Sequence, residues 1–370
     1  VKICTHATAL DRAGGIEMCT YQLSGSLVQR GHGVTVLFQH DGSLRTEYER
    51  AGIRLQGPTS FSLTPRTAVQ DVARMAPAAL WAAGHRPDVL WLQRFEHIVW
   101  GQVVARAARA PLVCHLHHMP NYNKVSLLGR GAAAFIAVSE FMRRTWVRRG
   151  LPADQVLTIP NAVPEAEYPF GGDAERVAAR RALGVPGDTF IALYYGRISV
   201  DKGVSVALEA WESLRLDPGN GHLLLVGDGM GAPPELLERI ERLRQDGRCT
   251  WLPARSDVST VLHASDVVLF PSLLPEAFGR VVLEALMSGR RVIASKVGAV
   301  PEILAGPLDR FLVPSGDPEA LAAALRDVLA TGPDRSSEEE YAAWTRDRFP
   351  YEQHVAAVED VLARAAHGSP

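Results

Sequence analysis

The sequence predicts an α/β protein built of two Rossmann-like, doubly wound domains that face each other across a cleft. Three observations predict it. A strand–loop–helix–strand plan stands at the start and recurs, in different letters, past the middle. Short apolar runs recur along the chain, as suits strands covered by helices on both faces. A stretch rich in proline and glycine between the halves, with Pro160, Pro164, Pro169, Gly171 and Gly172, reads as a hinge.

"VKIC" opens as a strand, "THATALDRAGG" as a loop, "IEMCTYQLSGSLVQRGH" as a helix and "GVTVLF" as the parallel partner strand. "VLWLQ" (89–93), "LVCHLH" (112–117), "AFIAVS" (134–139) and "VLTIP" (156–160) supply further strands. The second half starts on "FIALYYG" (190–196), then the loop "RISVDKG", a helix from Val204 to about Leu214 and the strand "HLLLVG". "CTWLP" (249–253), "VVLFPS" (267–272) and "RVIAS" (291–295) complete the second set. The closing "YEQHVAAVEDVLARA" has the spacing of an amphipathic helix after Pro350. At 370 residues the chain is comfortable for two cores. The expected division is 1–168 and 169–349, with the terminal helix (350–366) packing back on the first domain.

Composition excludes several functions. A hydrophobic content of 47% with 22% charge describes a folded globular chain. A net charge of −2 gives no electrostatic case for nucleic acid. Cys4, Cys19, Cys114 and Cys249 show no paired spacing and read as buried thiols in a reducing compartment. No run approaches the ~20 apolar residues of a membrane span, and no charged-then-apolar leader opens the chain, so a cytoplasmic protein is expected. Basicity is local: "FMRRTWVRRG" sets Arg143, Arg144, Arg148 and Arg149 around Trp146. It reads as a solvated helix face. The sharper alternative is peripheral contact with anionic lipid at the inner membrane face.

The chemistry concentrates in three places. After the strand 190–196 come Arg197 and, beside Gly203, Lys202, one of only four lysines in the chain. A planar fork and a compact charge together suit a diphosphate. Gly14 and Gly15 precede a helix, where backbone can approach a phosphate. In "LLPEAFGRVVLEALMSG", Glu276 and Glu284 flank an almost wholly apolar run. A helix starting near Gly279 leaves the amides of Phe278, Gly279 and Arg280 as unsatisfied donors. Glu284, sunk among aliphatics, needs a partner: the two hydroxyls of a ribose, or an ion pair with Arg290 or Arg291.

"PEAFGRVVLEALMSG" resembles the E-x7-E motif of retaining GT-B glycosyltransferases of family four. "GRISVDKG" is similar to that family's diphosphate loop and "GGIE" to its N-terminal glycine loop. "VSEFMRR", "IPNAV", "LVGDG" and "VGAVPEIL" fall in the family's order, so the resemblance runs from about residue 1 to 365. It implies a GT-B architecture with an N-terminal acceptor domain and a C-terminal nucleotide-sugar domain. By the same resemblance, Arg197 and Lys202 neutralise the departing diphosphate, Glu284 holds the ribose, and Glu276 touches the donor sugar. The Ala277, Phe278, Gly279, Arg280 and Val281 segment lies along sugar and phosphate, and Gly14 and Gly15 close over the diphosphate. His117 best matches the family's histidine near the reacting centre, with His115 and His118 crowding it. Pro253–Arg255 are the candidates for reading the base, and Arg94, Glu96, His97, His118, Asn121, Tyr122 and Asn123 for meeting the acceptor. "IPNAVP" and Arg291 depart from the commoner family letters without touching the chemistry.

The implied reaction moves a hexose-type sugar from UDP or GDP to a hydroxyl of a small molecule or glycan, with retention. No Asp-x-Asp occurs, so no metal or other cofactor is expected. A lipid acceptor, which would recruit the helix near Trp146, is the second reading. Two others are weighed. "GDGMGA" (227–232) formally matches the dinucleotide fingerprint of an NAD-dependent oxidoreductase, which leaves Arg197, Lys202 and E-x7-E unexplained. A sugar-nucleotide epimerase would keep the fold and change the product.

Overall fold

Short runs of Val, Ile, Leu and Ala make parallel strands here because both faces of each sheet are covered, leaving no polar side to alternate with. The computed structural model describes residues 1–12, 14–61, 67–185 and 187–368; Ala13 of the N-terminal glycine loop lies outside the described residues. The chain forms two compact units, Val1–Asn161 with Glu352–Pro370, and Ala162–Tyr351. The division therefore falls at Asn161, earlier in the hinge than the 168/169 boundary read from the sequence.

Among the described residues the first unit holds seven strands: β1 (Lys2–Ala9), β2 (Gly33–His40), β3 (Arg54–Gln56), β4 (Val89–Leu92), β5 (Leu112–Leu116), β6 (Ala134–Ala137) and β7 (Val156–Thr158). Their order in the sheet is β3-β2-β1-β4-β5-β6-β7, all parallel. β1 runs on through Thr5–Ala9, which the sequence suggests as loop. The polar Thr5 and His6 continue the strand because it is paired on both edges, Thr5 standing opposite Val36 of β2 and Trp91 of β4. β3 is an edge strand of three residues, too short and polar to show as an apolar run.

The terminal helix Tyr351–His367 buries Val355, Val358 and Leu362. Arg30 holds its start, 2.6 Å from Glu352 and 2.8 Å from Glu359, and His32 Nε2 lies 2.7 Å from Glu359.

The second unit holds β8 (Phe190–Tyr195), β9 (Gly221–Val226), β10 (Cys249–Leu252), β11 (Val267–Phe270), β12 (Arg291–Ser295) and the two-residue β13 (Leu312–Val313). Their order is β10-β9-β8-β11-β12-β13, again parallel. In each sheet the order reverses once: between β1 and β4, and between β8 and β11. At such a reversal the crossover helices leave to opposite faces, opening a crevice at the strands' carboxyl ends. The candidate residues follow from those strands: Gly14 after β1, Arg94 after β4, Arg197 and Lys202 after β8, and Glu276 after β11.

One buried charge cluster fastens the second sheet to its helix Asp173–Leu183. Asp266 accepts from Arg180 at 2.7 Å and from the Ile191 amide at 2.7 Å, and Arg176 pairs with its other oxygen. Removing one member of such a group leaves the rest uncompensated. Asp266→Ala is expected to cost about 3–5 kcal/mol, read as a lowered urea midpoint with an unchanged slope.

Candidate functional site

In the second unit, Gly196 and the Arg197–Gly203 turn prolong β8. Gly203 has φ +73°, and a Cβ there would run into the Pro271 carbonyl. The turn thus lies against the segment after β11, and the Leu273 amide donates to the Asp201 carbonyl at 2.9 Å. This packing brings Lys202 Nζ to 2.7 Å from Glu276 Oε1, which also accepts from Ser272 Oγ at 2.7 Å. Arg197 is 66% exposed and only loosely paired with Asp201, at 3.4 Å. A third segment fixes Glu276: the Ala299 amide donates to its carbonyl at 3.0 Å. Gly298, φ +56°, sits so close that a Cβ would strike the Glu276 backbone.

The helix Arg280–Met287 starts at Gly279, which takes φ +111°, as only glycine does without strain. Phe278 is buried edge-on against Phe349, ring centroids 5.8 Å apart, so its side chain anchors the helix start. Ala277, Arg280 and Val281 are part-exposed around it. Glu284 is 7% exposed. Neither Arg290 nor Arg291 reaches it, contrary to the ion-pair expectation. Arg290 donates to the Gly171 carbonyl, and Arg291 to the Gly332 carbonyl at 2.6 Å. Glu284 instead accepts from Tyr195 Oη at 2.7 Å, pairs with Arg280 at 3.3 Å and is hydrogen-bonded to Tyr168. Burial, reinforced by the Glu284 charge, pushes both phenols upward, so they remain donors. An ionised carboxylate offers about four acceptor positions, which leaves it capacity for a further donor.

In the first unit, Arg94 after β4 binds Glu17 at 2.6 Å, tying the strand end to the helix Gly15–Gln29. Gly14 heads that helix, and a Cβ on it would collide with the Glu17 carboxylate. Arg94 also lies 3.5 Å from Glu96, which accepts from Tyr122 Oη at 3.4 Å. Asn121 and Asn123 are exposed. Of the three histidines, His115 is fully buried, a core residue within β5, and neither ring nitrogen has a hydrogen-bond partner among the described residues. His118 accepts from Trp146 Nε1 through its carbonyl at 3.1 Å. His117 is 8% exposed, its ring stacked obliquely 4.0 Å from that of His115, and its Nε2 lies 3.2 Å from Gln93 Oε1. Burial first, then neighbouring His115, His118, Arg94 and His354, holds His117 well below the ordinary histidine range. Burial likewise lowers His118.

Sequence reading missed Gln93, Tyr168, Tyr195, Ser272 and Gly298. Gln93 and Tyr195 carried a signal, a polar atom at the end of an apolar strand; the others are joined only by tertiary contact. Trp146 is buried against Phe95, centroids 4.7 Å apart, so the basic helix Glu140–Arg148 cannot present it to a membrane. Its Arg143 donates to the Val156 carbonyl at 3.0 Å and Arg144 pairs with Glu140 at 3.2 Å, the pattern of a solvated face. In "GDGMGA", Gly227 is required because a Cβ would strike the Gly196 carbonyl. Arg255, a candidate for reading the base, is held by Asp257 at 2.7 Å. No helix among the described residues is long and apolar enough to cross a membrane. Nor is any cluster of three or more His, Cys, Asp or Glu that could hold a metal found among them.

Comparison with known proteins matches the two units in turn. Residues 13–167 fit the model of glycosyltransferase family 4, and 189–331 that of glycosyl transferases group 1. The D-inositol 3-phosphate glycosyltransferase of Saccharomonospora viridis is 33% identical over 60% of this chain, and the chain spans 56% of that relative's length. The protein of the same name from Xylanimonas cellulosilytica is 27% identical over 100% of this chain and 97% of its own. Among solved structures, Anabaena Alr3699/HepE in complex with UDP-glucose superposes with a TM-score of 0.81 at 24% identity. That likeness covers 98% of this chain and 99% of the other. The chain belongs to glycosyltransferase family four and has the GT-B fold.

Because Gly298 touches Glu276 only through backbone, Gly298→Ala should displace the Glu276 loop without removing a charge. Sugar transfer is expected to fall at least about tenfold, in line with the cost of ångström-scale misplacement, while far-ultraviolet circular dichroism stays unchanged.

Proposed function

We propose that the protein is a metal-independent, retaining glycosyltransferase that moves a hexose-type sugar from a nucleotide diphosphate to a hydroxyl of a small molecule or glycan. The observation that carries this reading is the convergence at one switch point of Arg197, Lys202, Glu276 and Glu284 on three different segments. UDP is favoured over GDP because the Anabaena structure of the same fold is a complex with UDP-glucose.

Lys202 and Glu276 neutralise each other at 2.7 Å. An arriving diphosphate competes for the ammonium, with Arg197 beside it on an exposed, loosely held stem. Sugar hydroxyls then donate to the carboxylate that Lys202 releases. Glu284, already oriented by Tyr195, Tyr168 and Arg280, accepts the ribose hydroxyls. As the bond from the anomeric carbon to the phosphate oxygen breaks, positive charge grows on the ring and negative charge on the diphosphate. Fixed cations stabilise that separation most when it is greatest. The acceptor oxygen bonds to the anomeric carbon on the face the phosphate leaves, and its proton passes to the departing phosphate oxygen. His117, Gly14 and Gly15 serve the same reaction from the first unit. The two cations take the part a divalent ion plays in other transferases. Burial of Trp146 favours a water-soluble acceptor over a lipid.

Lys202→Ala and Arg197→Ala should each lower kcat on the order of 10²-fold, taking the loss of one oxyanion donor as guide. Unchanged turnover in both removes them from the mechanism. UDP should raise the melting temperature and NADH should not. EDTA should leave transfer intact, and proton NMR of the product should show the donor's anomeric configuration.

A further inference from the structure

Gln93, at the carboxyl end of β4, stands between two histidines, and donor–acceptor logic fixes the direction of every bond it makes. Thr5 Oγ1 lies 2.7 Å from the Trp91 carbonyl oxygen, which can only accept, so the single hydroxyl proton is committed there. The 3.0 Å bond between Gln93 and Thr5 Oγ1 must then be donated by the amide NH2 of Gln93. Its carbonyl end is thereby turned to His117, 3.2 Å away, and an amide oxygen can only accept. His117 must therefore donate from Nε2, which leaves the lone pair on Nδ1. No hydrogen-bond partner for Nδ1 is found among the described residues.

The same residue directs the second histidine through its backbone. The Gln93 amide N–H lies 3.3 Å from His6 Nδ1, so that nitrogen accepts. His6, fully surrounded by protein and edge-on to Phe61 at 4.9 Å, then carries its proton on Nε2 and donates to His97 Nδ1 at 2.8 Å. The proton of His97 is left on Nε2, 3.7 Å from Glu96. One donor chain thus runs through the Gln93 side chain, from His117 to Thr5 and the Trp91 carbonyl, and a second runs outward from the Gln93 backbone amide through His6 to His97.

We propose that Gln93 is a positioning residue for the transfer reaction: with Thr5 as its arbiter, it holds His117 as the Nε2–H tautomer, so that His117 meets a substrate hydroxyl as an acceptor at Nδ1. Burial, which disfavours a charged ring here, agrees with a neutral imidazole. This rests on the proposed role of His117 in sugar transfer and adds what that role requires: a ligand group that donates, a hydroxyl rather than a carbonyl or carboxylate.

Nitrogen-15 chemical shifts of labelled histidines in the full chain at neutral pH report the tautomer without reference to activity. His117 should show a protonated Nε2 and an unprotonated Nδ1; a protonated Nδ1 in the unmodified protein overturns the proposal. Thr5→Val removes the arbiter with little change of shape and lets the Gln93 amide turn over. It should yield mixed tautomers and lower kcat by about tenfold or more, the range for loss of an oriented hydrogen-bonding group, with donor KM little changed. Thr5→Ser should restore both. Gln93→Met, which removes the acceptor, should behave as Thr5→Val does. A tautomer that shifts in Thr5→Val and Gln93→Met while kcat stays constant also overturns the proposal. His117→Ala tests the underlying reading separately: full activity there removes His117 from the reaction, whatever its tautomer.

Discussion

A carboxylate sunk among aliphatic side chains is the constraint on which the second unit's site depends. Glu284 sits in the buried part of its helix, so its position is set by the packing of Val282, Leu283, Ala285, Leu286 and Met287. That burial costs free energy unless donors face the carboxylate. Tyr195 and Tyr168 reach in from other segments and Arg280 from one turn earlier. The three donors approach a group with capacity for more. A site of this kind is oriented before a ligand arrives, which lowers the cost of ordering on binding.

Parallel sheet topology does the rest. Because the strand order reverses between β8 and β11, the helices that follow these two strands leave to opposite faces, and the loops after the strands meet at one crevice. Their contents are opposite in charge, Lys202 on one and Glu276 on the other. Glycine permits the close approach: Gly203 against Pro271, and Gly298 against Glu276. The first unit repeats the device between β1 and β4 with histidines, Gln93 and Arg94 in place of Lys and Glu. There the polar groups face one another in hydrogen-bonded chains, and direction is imposed by groups able only to donate or only to accept.

Much of this was legible in the sequence. The apolar strands, the helix beginning after Gly279 and the terminal helix show directly as runs and periods, because burial on both faces leaves a continuous signal. β3 and β13 did not show: edge strands of three and two residues have no pattern to read. The partners of Glu284 were not legible either. Arg290 and Arg291 are near it in sequence, but the helix ends at Met287 and both turn toward other backbone carbonyls. Tyr195 and Tyr168 meet it across large sequence separations that only the folded unit closes. Trp146 left two readings open for the complementary reason: a tryptophan among four arginines fits a solvated face or an interfacial anchor, and only the fold shows the ring turned inward onto Phe95 and Tyr122.

The most direct test of the account is a crystal structure of the chain with a bound nucleotide sugar, UDP-glucose being the first choice. The pyrophosphate oxygens should lie within about 3.5 Å of the Arg197 and Lys202 nitrogens, and the ribose hydroxyls within about 3.5 Å of the Glu284 carboxylate. A nucleotide seated elsewhere, with its pyrophosphate beyond hydrogen-bond reach of both cations and its ribose away from Glu284, would contradict it.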